Sequence, residues 1–207
     1  MLKAREALAL LREGNRRFAA NVRSPDPYHT DAGRAVLATG QEPIAIILGC
    51  SDSRVPAELV FDQGLGDLFV IRVAGNIVAP SQVGSVEFAA ERFHTRLVVV
   101  LGHSQCGAIT ATLEELRRPG ETRSRNLRAI VDRVLPAVAP VLEAHAGGDE
   151  ESLMHAAVRA NIRASAAQLR HGSEVLEQLI RDDQLLVVGA EYSLETGVVD
   201  FFDGVPD

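Results

Sequence analysis

Two short runs of apolar, largely β-branched residues, Pro43 to Gly49 and Leu97 to Gly102, each break off into a polar cluster that holds one of the chain's two cysteines. The clusters read Cys50-Ser51-Asp52-Ser53-Arg54 and His103-Ser104-Gln105-Cys106. A continuous apolar stretch such as Ile44 to Leu48 suits a central strand buried on both faces. Such strands need a sheet covered on both sides, and in an open α/β sheet ligands bind just beyond the strand ends.

The rest of the chain supplies the cover. Leu8, Leu10, Leu11, Phe18 and Ala19 fall on a helical repeat between Ala4 and Val22, with Gly14 as a possible interruption. Pro25 and Pro27 mark a loop, and Asp31 is placed to cap a short helix through Ala38 that Gly40 ends. Val55 to Val60 reads as a short helix with Pro56 in its first turn, Leu68 to Val73 as a strand, and Ser81 as the cap of a helix through Phe93. Arg96 to Leu101 is the next strand and Cys106 to Leu116 the next helix, broken at Pro119-Gly120. Helical stretches follow over Arg125–His145, Ser152–Leu169 and Glu174–Ile180, with final strands at Leu185–Val188 and Val198–Phe202.

Strands separated by helices of about ten residues or more predict an α/β fold with a mostly parallel central β-sheet flanked by helices. An N-terminal helical arm precedes the sheet, and Glu191 to Asp203 forms an edge-strand extension at the C-terminal end. With 207 residues, 46% of them hydrophobic, the chain is expected to be one domain, an arm over residues 1–39 and an α/β core over residues 40–207.

The net charge of −7 argues against nucleic acid or an anionic membrane as partner, since both ask for clustered Lys and Arg. Met1 to Arg12 mixes charges into its apolar positions, unlike the core of a secretory signal, and no run approaches the roughly 18 apolar residues of a membrane span. The expected location is the cytoplasm, where thiols stay reduced and a cysteine pair favours metal or catalysis over a structural disulfide.

Either cluster alone is ordinary, because a lone cysteine or histidine is usually a packed or surface residue. Together they give Cys50, His103 and Cys106, two thiols and an imidazole, which is a zinc ligand set with the fourth position left to water or to Asp52. Two residues between His103 and Cys106 let both converge on one ion, with Gly102 and Gly107 leaving room for close backbone approach. Arg54 can hold Asp52 off the metal in a bidentate fork, making Asp52 an acceptor for the water's proton. Two thiolates and a neutral imidazole cancel the zinc charge, so the water is acidified less than at an all-histidine site and activity should rise on the alkaline side of neutrality. The helix opening near Cys106 points free amides, including that of Gly107, towards the site, which suits a small anionic product. The competing reading is a non-catalytic module in which Cys50 and Cys106 form a reversible disulfide or a closed zinc site. A nucleotide binder is disfavoured, because no glycine-rich phosphate loop follows the first strand.

Taken together, Cys50-Ser51-Asp52-Ser53-Arg54 and His103-x-x-Cys106-Gly107 resemble the metal motifs of the β-class carbonic anhydrases. The similarity extends through Gly14-Asn15-x-x-Phe18, Phe61-Asp62-Gln63-Gly64-x-Gly66-Asp67-x-Phe69, Arg72-Val73-Ala74-Gly75-Asn76 and Gly189-Ala190-x-Tyr192-x-x-x-Thr196-Gly197. The resemblance implies reversible hydration of carbon dioxide by zinc-bound hydroxide, with one zinc per chain on Cys50, His103 and Cys106 and a catalytic dyad of Asp52 and Arg54. It further implies substrate contacts from Gln41, Phe69 and the Gly107 N–H, and a homodimer or dimer of dimers whose N-terminal helix reaches over its neighbour and whose pocket forms between chains. Phe88 stands where the family often has tyrosine, so a hydroxyl contact is lost. Ile47 stands where members that close the site through aspartate carry tryptophan, which favours an open site. Hydrolysis of carbonyl sulfide or carbon disulfide is the alternative on the same residues. His29 and His94 are candidates for carrying the proton out, on titration range alone.

Overall fold

The structure is a computed structural model that describes residues 2–22, 35–120, 124–145 and 147–206. Five strands, β1 (Ala45–Gly49), β2 (Leu68–Arg72), β3 (Leu97–His103), β4 (Leu186–Tyr192) and β5 (Val199–Asp203), form one sheet in the order β2-β1-β3-β4-β5. The first four are parallel, and β5 returns antiparallel on the edge of β4. This is the expected α/β architecture with its C-terminal edge strand.

The sheet sorts its side chains by the two-residue period of a strand. Ile46, Leu48, Val98, Val100 and Val187 face a core built with α3 (Pro80–Arg92), α4 (Gly107–Arg117), α5 (Arg125–Ala144), α6 (Glu150–His171) and α7 (Glu174–Arg181). Ala45, Ile47, Leu97, Val99, Leu101, Val188 and Ala190 face a second, thinner layer made by α1 (Ala4–Ala19) and the single turn α2 (Ala57–Val60). Every residue of β1 and β3 is buried, as their unbroken apolar sequence demands.

Helix α1 packs Ala7, Leu8 and Leu11 onto its own chain's sheet. Gly14 does not interrupt it: a Cβ there would lie 1.8 Å from the Phe61 carbonyl oxygen, so glycine is what lets α1 approach the end of α2. Next to it the buried Asn15 amide donates to the Val60 and Gly197 carbonyls at 3.1 and 2.9 Å and accepts from the Val199 amide at 2.8 Å. One side chain thereby ties the arm to α2 and to the C-terminal edge strand.

Several boundaries move from their sequence positions. Strands β3 and β4 run on to His103 and Tyr192, because Gly102 and Gly189 do not end them but make room for Ile162 of α6. Helix α3 begins at Pro80 with Ala79 at its cap, not at Ser81, as suits a proline whose dihedral is already helical. Helix α6 begins at Glu150, where the Asp149 carboxylate accepts from the Ser152 amide at 2.9 Å. Residues 35–37 make a helical turn, while the Asp31 cap, Pro25, Pro27 and His29 lie outside the described residues. Among the described residues no helix is long and apolar enough to cross a membrane.

Candidate metal centre

The register of the parallel strands brings the two polar clusters together. Gly49 pairs with both Leu101 and Arg72, so Cys50 leaves β1 beside the end of β3, where His103 is the last strand residue. Gln105 then takes a positive φ of 54°, turning the chain so that Cys106 becomes the N-cap of α4. The Sγ atoms of Cys50 and Cys106 lie 4.0 Å apart, and with a His103 ring nitrogen all three donors fall within 4.8 Å of one another, all buried.

The His103 ring is oriented by its own loop: Nδ1 lies 2.9 Å from the Ser104 carbonyl oxygen, and that bond makes Nδ1 the donor. Among the described residues Nε2 has no hydrogen-bond partner, and it is fully buried with its lone pair in the cluster. A buried acceptor left so is costly unless something positive binds it. The thiols say the same. The hydrogen bond from Cys106, together with that from the Gly75 N–H at 3.4 Å, favours ionisation of Cys50 and lowers its pKa to about 4, against the opposing effect of burial. Engagement with Cys50 and then burial push the Cys106 thiol up, so the site holds two thiolates only beside a cation. Two thiolates and an imidazole are the soft and borderline donors that zinc prefers.

Asp52 and Arg54 form the rim. Arg54 donates from Nε to Oδ1 at 2.9 Å, from Nη2 to Oδ2 at 2.7 Å, and from its backbone N–H to Oδ1 at 2.9 Å. This triple grip, foremost the side-chain hydrogen bonds, holds the Asp52 carboxyl well below the usual carboxylate range. Asp52 Oδ2 still lies 3.8 Å from His103 Nε2, so the carboxylate borders the donor cluster while paired to the arginine. Arg72, at the end of β2, fixes the loop by donating to the Cys50 and Asp52 carbonyls at 3.0 and 2.6 Å. The sequence reading gave Arg72 no role; its place opposite Gly49 emerges only from strand register.

Gly107 is the first residue of α4, where the amides of the opening turn lack helical acceptors. A Cβ on Gly107 would meet nothing within 4 Å, whereas one on Gly102 would lie 2.5 Å from Ile162 Cδ1, so of the two flanking glycines only Gly102 is needed for packing within the chain.

Gln41 and Phe69 are not brought to this cluster within one chain. Gln41 precedes β1 and lines a surface cavity of about 500 Å³ with Arg92, His94 and Arg96, at the end of the sheet away from Cys50. Phe69 pairs with Ile46, three residues short of Arg72, and packs against Phe88 and Phe93 with ring centroids 6.2 and 5.9 Å apart.

Residues 45–199 match the family model described as carbonic anhydrase. The chain is 38% identical over 187 residues to carbonic anhydrase 2 of Mycobacterium tuberculosis, covering 90% of this chain and 87% of that protein. It is 40% identical over 196 residues to a carbonic anhydrase of Mycolicibacterium smegmatis, covering 92% and 89%. Among solved structures, the β-carbonic anhydrase CcaA superposes with a TM-score of 0.75 over 95% of each chain at 28% identity. The fold is also that of a tetrameric β-carbonic anhydrase from Sordaria macrospora, with a TM-score of 0.71 at 24% identity over 84% of this chain and 88% of that one.

Proposed function

The chain belongs to the β-class carbonic anhydrase family, and from that membership we propose that it hydrates carbon dioxide reversibly to bicarbonate and a proton on one zinc ion held by Cys50, His103 and Cys106. The observation that carries the reading is the buried convergence of two thiols on a histidine nitrogen that has no hydrogen-bond partner among the described residues. Zinc on these donors supplies an acidified water as nucleophile and a Lewis acid for the developing charge.

The chain's own residues do the rest. Asp52, kept ionised by Arg54, accepts a hydrogen bond from the attacking water and turns its lone pair towards carbon dioxide. Arg54 keeps both carboxylate oxygens occupied, which holds Asp52 at the rim instead of in the donor cluster. The Gly107 N–H, in the open first turn of α4, serves in this reading as a donor to the anionic product.

Gln41 and Phe69 serve the site of a neighbouring copy, because within one chain neither is beside Cys50. The working protein is therefore a homo-oligomer of single-domain chains, a dimer or a dimer of dimers. It works in the cytoplasm, where its thiols stay reduced.

The test is metal analysis with two assays on the purified protein: proton release from carbon dioxide and sulfide release from carbonyl sulfide. One zinc per chain with carbon dioxide hydration supports the reading. Sulfide release alone transfers the site to the carbonyl sulfide reaction, and absence of zinc with titratable thiols supports a redox module.

A further inference from the structure

The Gly75 amide that touches the Cys50 sulfur is held in place from outside the metal cluster. Residues Ala74–Asn76 form a tight turn in which Gly75 and Asn76 both take positive φ, 71° and 42°. Glycine adopts that region freely, but a second consecutive residue there needs fixing from its surroundings. Helix α6 supplies it: Asn161 Nδ2 donates to the Gly75 carbonyl at 2.8 Å, and Ser165 Oγ donates to the Asn76 carbonyl at 3.0 Å. The two residues are four apart and so share one helix face, and they are 2% and 5% exposed. Between them Ile162 packs so closely on Gly102 and Gly189 that a Cβ on either glycine would lie 2.5 or 2.8 Å from it, which sets the height of α6 on β3 and β4. On the turn's other side a Cβ on Gly75 would lie 2.9 Å from the Cβ of Ala108, two residues beyond Cys106. The turn is wedged between α6 and the helix that follows the second thiol ligand.

We infer that Asn161 and Ser165 are positioning residues for the metal centre: by fixing the Gly75 and Asn76 carbonyls they aim the Gly75 N–H at the Cys50 sulfur. This rests on the metal-site reading above. An N–H donated to a thiolate withdraws electron density from the sulfur, and in a site with two thiolates that restores part of the ion's Lewis acidity. The chemical environment of one ligand is thus set by a helix whose hydrogen bonds go to the turn's carbonyls, one step removed from the sulfur.

The readout is spectroscopic. In cobalt-substituted protein, Asn161→Leu is expected to move the sulfur-to-cobalt charge-transfer band to longer wavelength, because the sulfur becomes more electron-rich. Zinc loss to a chelator is expected to accelerate by up to about 10-fold, the lower end of what losing a direct outer partner of a metal ligand costs in affinity, since Asn161 acts one bond further out. Ser165→Ala shifts both in the same direction, and Ser165→Thr, which keeps the hydroxyl, restores them. Folded variants whose band and release rate equal those of the wild type overturn the inference. If Asn161→Leu does not fold, Ser165→Ala against Ser165→Thr decides on the same readouts. A wild-type protein with no charge-transfer band overturns the metal-site reading itself.

Discussion

Arg54 engages both carboxylate oxygens of Asp52, at 2.9 and 2.7 Å, while the second of those oxygens stays within 3.8 Å of the buried nitrogen of His103. The carboxylate is held between a guanidinium that binds it and a donor cluster it borders, and the arginine decides which of them it serves.

Removing that grip should free Asp52 to turn towards the donor cluster. Arg54→Ala is expected to keep its zinc and to lose about 100-fold or more in carbon dioxide hydration, the range of a displaced general base. Arg54→Lys should recover only part of this, since a single ammonium cannot reproduce the fork. Stopped-flow hydration rates with metal content measured on the same samples check both.

The same pair sets a pH dependence of stability. The folded-state pKa of Asp52 is depressed, so the pair's contribution is complete above the unfolded carboxyl value of about 3.9 and is lost as pH falls through the lower, folded value. In the reduced, metal-free protein, the unfolding free energy of wild type minus Asp52→Asn should be flat from neutrality upwards and shrink below about pH 4. Any rise of activity between pH 6.5 and 9 then comes from the nucleophile and not from titration of Asp52, because the carboxylate is already ionised throughout that range.

Glu191 works in the opposite direction. It is buried on β4, 3.2 Å from His155 and 3.5 Å from Arg159, and burial outweighs these partners to raise its pKa. A carboxyl raised on folding binds protons more tightly in the native state, so its contribution falls as pH rises from the unfolded value of about 4.3 through the folded one. Stability of wild type minus Glu191→Gln should decline across that window, as followed by denaturant titration at a series of pH values.

Gly14 tests the docking of the arm. A methyl group there would overlap the Phe61 carbonyl, and because the obstacle is backbone, neither helix yields cheaply. Gly14→Ala is expected to cost about 2–3 kcal/mol despite alanine's better helix propensity, at the upper end of overpacking effects. An exposed helical glycine would give the opposite sign in the same denaturation experiment.

How much was legible in the sequence follows from which interactions are local. The strand cores could be read because β1 and β3 are buried on both faces and therefore carry unbroken apolar runs. The donor cluster was readable because each half is contiguous, and an Asp two residues from an Arg closes a turn almost by itself. The roles of Gly14, Gly102, Arg72 and Asn161 were not, since each is defined by a partner far along the chain: the Phe61 carbonyl, Ile162, the Cys50 carbonyl and the Gly75 carbonyl. Ser81 was misread as a cap because a proline one residue earlier already starts the helix. Gln41 and Phe69 came from resemblance alone, and in a single chain they lie apart from the residues they were grouped with.

The central claim is that Asp52 acts on the reaction without being needed to hold the metal. Carbon dioxide hydration by Asp52→Asn beside wild type, with zinc measured in both, tests it directly. One zinc per chain retained with the rate lowered about 100-fold or more is the expected result. Full zinc with an unchanged rate would contradict it.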